Sequence, residues 1–361
     1  MPSLKYHSSN FPASFSDDFR GANTIPDVSW DEFVWAAITV GKPEFDHLLK
    51  YGILSCYEML MRIYMVQVNF MESAAGKFEH TPVYTSLDPS EKNALSYFMG
   101  LTMAKLLANR FLATPWLVHL DRFSGNLTPK PRAENDPKLR PDLIGLDDQK
   151  RWVVMEAKGR SNGAPNSLMT TAKAQTANLD EIDGKQPYIR VACAAYATPA
   201  GVLSAKWADP EEVNPDAPSL NIGPDDFLRQ YYAPIRNLIS GNNPGAVKEQ
   251  PGEYTFTTSR LFIEQNPQLE QVEAGYTFTT VAFPDLDIKI GLLNDIERLV
   301  LDHPQWYSTF SRKVTIDAIL NDTEGANNRP FFVGPDGVLI ELGPSWDSEN
   351  MRKVPSKRSN R

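Results

Sequence analysis

The spacing of apolar residues changes several times along the chain, and each change marks an element. A polar opening segment, read as irregular, is followed by SWDEFVWAAITV and EFDHLLKYGILSCYEMLMRIYMVQVNFME, where apolar positions recur at helical intervals. Ser29 stands at an N-cap position, and Glu32 three residues later predicts a capping box. A third helix is predicted from about Pro89 to Phe111. Asp88 is its N-cap, Pro89 fills its first turn, and Leu95, Phe98, Met99, Met103, Leu106 and Leu107 share one face.

PWLVHLDRF then reads as a strand and NLTPKPRAENDPKLR as a proline-rich loop. RPDLIGLDDQKRWVVMEAKGR reads as two apolar strands around a turn at LDDQK, SLMTTAKAQTANLDEID as a helix, and PYIRVACAAYA as a strand. The acidic, proline-rich KWADPEEVNPDAPSLNIGPDD predicts a loop or linker. Beyond it come a helix in DDFLRQYYAPIRNLIS, strands in EYTFTTSRLFIE and GYTFTTVAF, a helix in IGLLNDIERLVLD, and a hairpin in RPFFVGPDGVLIEL. The string YTFTT, at Tyr254 and again at Tyr276, marks two similar strands rather than a repeated domain. The chain is thus expected to comprise a helical N-terminal cap (1–80), an α/β core (81–200), a linker (201–225), an α+β extension (226–350) and a tail (351–361). That tail carries Arg352, Lys353, Lys357, Arg358 and Arg361 in a polar run able to touch phosphates, although basic tails also serve solubility.

Composition narrows the function classes. A 361-residue chain that is 42% hydrophobic and 22% charged can bury a sizeable core. No apolar run reaches the roughly 18 residues needed to cross a bilayer, and MPSLKYHSSNFPASF lacks the layout of a secretory signal, so the expected location is cytoplasmic and no membrane partner is expected. Cys56 and Cys193 both sit among apolar neighbours, which excludes a disulfide framework and a cysteine zinc site. His7, His47, His80, His119 and His303 show no metal-ligand spacing. Trp30, Trp35, Trp207 and Trp306 stand among apolar residues and are assigned to the core rather than to base stacking. A formal net charge of −9 argues against coating nucleic acid by bulk attraction, but a local basic groove is compatible with it. No phosphate-binding GxxxxGK(S/T) loop occurs.

Carboxylate chemistry remains, and one segment concentrates it. Along WVVMEAKGR, strand alternation puts Glu156 and Lys158 on one face and Ala157 on the other. The preceding strand begins at Asp142, and the LDDQK turn should bring it back opposite Glu156. Two adjacent carboxylates disfavour joint ionisation unless a cation shares them, and a divalent ion with a preference for oxygen suits the pair. Such an ion polarises a phosphodiester and acidifies water, with Lys158 at hand for the developing charge. The same charges could also be a solvated pair on an edge strand. Two other segments carry similar letters and fail the pattern. FPDLDIKIG has Pro284, Asp285, Asp287 and Lys289 without room for a hairpin, and GPDGVLIELG has Asp336 and Glu341 with glycine in place of lysine.

Pro141, Asp142, Glu156, Ala157 and Lys158 together resemble the PD-(D/E)xK motif of the restriction-endonuclease-like nuclease superfamily. The order helix, strand, strand, strand, helix, strand from Pro89 to Ala197 resembles its common core, over about 110 residues. The resemblance implies an α/β core with a central mixed sheet flanked by helices. It also implies Mg2+ (with Mn2+ as a substitute) bound by Asp142, Glu156 and the Ala157 carbonyl, and Lys158 serving the attacking water. Accessory positions follow from the same likeness: Glu91 on the first helix, Lys173 and Gln175 on the helix after the motif, and Arg160 for a phosphate. Glu91 equally suits the start of a helix dipole, Lys173 and Gln175 an exposed helix surface, and Arg160 a strand end. The expected activity is a DNA endonuclease, by analogy in bacterial defence, restriction or mobile-element biology. An RNA nuclease, an inactive binding or assembly subunit of the same fold, a homodimer and a partner subunit all stay open.

Overall fold

In the computed structural model, the residues described are 1–41, 53–128, 140–209, 213–214, 216–239, 259–263, 276–283, 286–297 and 331–347. The chain begins with strand β1 (Leu4–Ser9), in which Leu4, Tyr6 and Ser8 alternate inward, antiparallel to β2 (Gly21–Ile25). Helices α1 (Trp30–Thr39) and α2 (Ile53–Asn69) follow, then a short ribbon of β3 (Phe70–Glu72) with β4 (Phe78–His80) and the one-turn helix α3 (Pro82–Ser86). The long helix α4 (Pro89–Leu112) leads into β5 (Trp116–His119). After the short β6 (Leu127–Thr128) come β7 (Leu143–Leu146) and β8 (Trp152–Arg160), helix α5 (Asn166–Thr176), and strands β9 (Ile189–Ala197) and β10 (Leu203–Ala208). Strand β11 (Ser219–Leu220) precedes helix α6 (Pro224–Ile239). The last strands are β12 (Ser259–Ile263), β13 (Tyr276–Phe283), β14 (Ile288–Leu293), β15 (Phe332–Val333) and β16 (Val338–Leu342).

Seven strands form one mixed sheet in the order β2-β1-β10-β9-β8-β7-β5, with β1/β10 and β8/β9 parallel and the other pairs antiparallel. The apolar runs of β8 and β9 are buried on both faces, as expected for strands paired in parallel at a sheet centre. Helix α4 packs on β8 and β9, and α5 packs on β8, β9 and β10. A second, antiparallel sheet runs in the order β12-β13-β14-β16-β15. Helix α6 touches β5, β13 and β14, so it joins the two sheets.

Several expectations need correction. The opening segment is not irregular: β1 and β2 extend the main sheet, because Tyr6 and Phe19 pack in an aromatic cluster with Phe111 and Trp207, whose indole donates to the Ser8 hydroxyl. The presumed linker from 201 to 225 contains β10, the strand that β1 joins in parallel. Helix α1 is not a cap, since it lies between α4 and β16 with Trp35 fully buried. The strand in PWLVHLDRF stops at His119, and the rest is a 3-10 turn, Leu120–Asn126. Ile288–Leu293, part of it assigned to a helix, is a strand because β13 and β16 flank it on both sides. The capping box at Ser29 is half made. Ser29 Oγ accepts from the Glu32 amide at 3.0 Å, but the Glu32 carboxylate is held by Arg110 at 2.7 and 2.5 Å.

Helix α4 runs one residue beyond its expected end, and Asp88 and Glu91 form a complete capping box there. The hairpin in RPFFVGPDGVLIEL is present as β15 and β16. Trp30, Trp35 and Trp207 are buried, as is Cys193, and no helix among the described residues is long and apolar enough to span a membrane. Tyr254, Asp285, Trp306 and the basic tail lie outside the described residues.

Candidate active site

The β7–β8 hairpin sets the register that brings the charges together. At its closed end the buried Asp147 carboxylate accepts from the amides of Gln149 (3.0 Å) and Arg151 (2.7 Å) and pairs with the Arg151 guanidinium at 2.6 Å. Lys150 takes a left-handed conformation, φ 65°, to close the turn. The ladder then matches Leu146 with Trp152 and Leu143 with Met155. One step further, Asp142 falls opposite Glu156.

At that open end the two carboxylates interlock through the backbone. The Asp142 amide donates to Glu156 Oε2 at 2.9 Å, and the Ala157 amide donates to Asp142 Oδ2 at 3.1 Å. Lys158 Nζ donates to Glu156 Oε1. The Asp142 carbonyl accepts from the Leu120 amide at 2.8 Å, which ties the turn after β5 to the same spot. Glu156 is completely buried, whereas the Lys158 side chain keeps 25% of its exposure. Burial first, and the Asp142 carboxylate second, push the Glu156 carboxyl up to about 8, with Lys158 opposing the rise. A buried acid crowded by a second acid and incompletely offset by one ammonium is short of positive charge.

Strand alternation puts Gly159 on the face opposite Glu156 and Lys158, and that face receives α4. A Cβ on Gly159 would overlap the Ser96 carbonyl, and one on Gly100 would lie 2.7 Å from the Lys158 carbonyl carbon. Helix and strand therefore touch backbone to backbone directly behind the charged residues. The two glycines that permit this were not singled out from sequence; a glycine in a helix and another after AK carry no signal until the crossing is known.

The accessory candidates separate. Glu91 is occupied at the start of α4, where its Oε2 accepts from the Asp88 amide at 3.0 Å. Lys173 acts electrostatically on Asp209, beyond the end of β10, where with Arg190 it opposes the rise that burial imposes on that carboxyl. Gln175 is half-buried on the same helix, and Arg160 is exposed at the end of β8. Residues not anticipated from sequence surround Asp142 instead. His119 is buried, and burial lowers its basicity against the opposing pull of Asp142 and Asp121. Burial and the Asp142 charge raise the Tyr97 hydroxyl. Arg140 lies 3.9 Å from Asp121. Tyr97, His119 and Asp121 come from α4, β5 and the turn after it, so only the folded chain brings them to Asp142.

Among the described residues no group of three or more His, Cys, Asp and Glu has the arrangement of a metal site; the interlocked Asp142 and Glu156 are a smaller set. No family model, curated protein or solved structure matches the chain.

Proposed function

We propose that the chain is a magnesium-dependent nuclease of the restriction-endonuclease-like type, acting on DNA. The observation that carries the reading is the interlock of Asp142 with Glu156 on neighbouring antiparallel strands, with Lys158 Nζ on the same glutamate. The donor set fits a hard divalent cation, because burial and the neighbouring Asp142 disfavour the ionised form of Glu156 beyond what Lys158 offsets, and a cation shared by the two carboxylates would relieve that. Asp142, Glu156 and the Ala157 carbonyl would hold the ion. When bound, it would polarise a phosphodiester and acidify a water.

The chain's own residues supply the rest. The two backbone amides fix the carboxylates, and burial keeps competing water away from Glu156. Lys158, partly exposed, can turn from Glu156 toward an attacking water or a phosphoryl oxygen. Complete burial of Glu156 and its direct bond to Lys158 favour a second reading, a nuclease-like scaffold kept for binding or assembly.

One experiment separates the two. The purified protein is incubated with supercoiled, linear and single-stranded DNA and with RNA, in Mg2+, in Mn2+ and in EDTA. Cleavage of DNA that needs the metal is expected. Binding without cleavage under every metal condition would leave only the scaffold reading, and preferential cleavage of RNA would change the substrate class.

A further inference from the structure

Arg140 stands two residues before Asp142, at the boundary between the site and solvent. Its side chain is 20% exposed, and its acidic neighbour Asp121, 3.9 Å away, is half-exposed. That separation is too long for a hydrogen bond. The Arg140 Nε is buried and has no acceptor among the described residues. A guanidinium offers five donors in a planar fork, and the exposed part of the side chain is the part that an acceptor from solvent can reach.

Through Asp121, this fork is linked to the site. Asp121 belongs to the turn whose Leu120 amide holds the Asp142 carbonyl, and Asp121 and Asp142 both act on His119 and Tyr97. Pro141 is buried between Arg140 and Asp142 and limits how far the two can separate. An oxyanion that presents two neighbouring oxygens is what the fork lacks, and a tetrahedral backbone phosphate of a nucleic-acid strand provides one.

We propose that Arg140 is the phosphate-binding residue of the site, holding a backbone phosphate of the strand that lies across Asp142 and Glu156. The inference rests on the nuclease reading and adds to it the contact that positions the strand. Arg140 donates to the phosphate and loosens from Asp121 as it does so; no bond is made or broken.

The test compares wild type with Arg140→Ala, Arg140→Lys and Asp121→Asn. Binding of a fluorescent DNA oligonucleotide is followed by anisotropy over a salt series with Ca2+ replacing Mg2+, and cleavage is followed with Mg2+. Arg140→Ala should weaken binding and raise KM by about ten- to a hundredfold with a smaller change in kcat, and should flatten the salt dependence by about one phosphate contact. Arg140→Lys, which retains the charge and the fold, should recover part of the affinity, and Asp121→Asn should bind at least as tightly as wild type. Wild-type binding, KM and salt slope in folded Arg140→Ala, or in Arg140→Lys should the alanine variant not fold, overturn the inference while leaving the nuclease reading in place. A wild-type protein that neither binds nor cuts nucleic acid overturns the nuclease reading and takes this inference with it.

Discussion

At the scale of single residues, the three charges of the β7–β8 hairpin differ in what their removal should do. Lys158→Ala should leave metal affinity largely intact and reduce turnover by a factor on the order of 10², as for a lost catalytic group. Glu156→Ala and Asp142→Asn should lose activity through metal binding, so that raised Mg2+ restores part of it. Titration of Mg2+ against cleavage rate, with circular dichroism to establish folding, distinguishes these outcomes; wild-type rates in all three folded variants would move any activity elsewhere. His80 offers a separate test, through pH. It is stacked on Tyr84 at 3.5 Å between ring centres, and burial lowers it from 6.5 to about 4. The unfolded chain then binds the proton more readily, so the His80 contribution to stability is intact above about pH 6.5 and is lost as pH falls toward 4. His80→Gln should therefore shrink the loss of melting temperature between pH 7 and pH 4, removing a penalty on the order of 2 kcal/mol after allowing for partial solvent contact. An unchanged pH profile would show that His80 is not the group responsible.

At the scale of elements, the crossing of α4 over β8 is set by Gly100 and Gly159 rather than by interdigitating side chains. A methyl at Gly159 would have to displace the Ser96 carbonyl, which the helix backbone cannot yield cheaply. Gly159→Ala should cost about 1–3 kcal/mol or more and should disturb Lys158, its immediate neighbour, so stability and cleavage fall together. A melting temperature within a degree of wild type would mean that the helix can move away without loss. By contrast, Ala at Gly163, where a Cβ meets nothing, serves as the control.

At the scale of the whole molecule, the second sheet is joined to the first through a buried polar cluster. Asp336, in the β15–β16 turn, accepts from Trp35 Nε1 (2.9 and 3.1 Å), Tyr231 Oη (2.5 Å) and the Val338 amide (3.1 Å). Lys105 of α4 donates to Tyr231 Oη at 2.7 Å and to the Pro115 carbonyl, and burial lowers it to about 7 against the pull of Asp336. Residues from α1, α4, α6 and the second sheet thus share one charge-bearing knot. Asp336→Ala would strand Lys105 without its anion and should destabilise the protein by about 3–5 kcal/mol, read as a lower urea midpoint. A midpoint equal to wild type would show the sheets to be held by apolar contact alone.

What the sequence determined by itself was local. The extent of α4 and its cap, the hairpin turn at Asp147, and the pairing of Asp142 with Glu156 and Lys158 all follow from capping chemistry, turn residues and the two-residue period of strands, which operate over a few positions. Asp336 reads in the sequence only as part of a failed motif, because the partners that give it a role lie up to 301 residues away. A long separation in sequence also hid β1 and β10, which become strands by pairing with each other, with β2 and β9 on their other edges, and by packing around Trp207. Ile288–Leu293 has an apolar pattern that suits helix or strand, and its neighbours decide. His119 and Tyr97 join the site for a related reason. Burial and electrostatic proximity depend on which surfaces the folded chain brings together, and no local period encodes them.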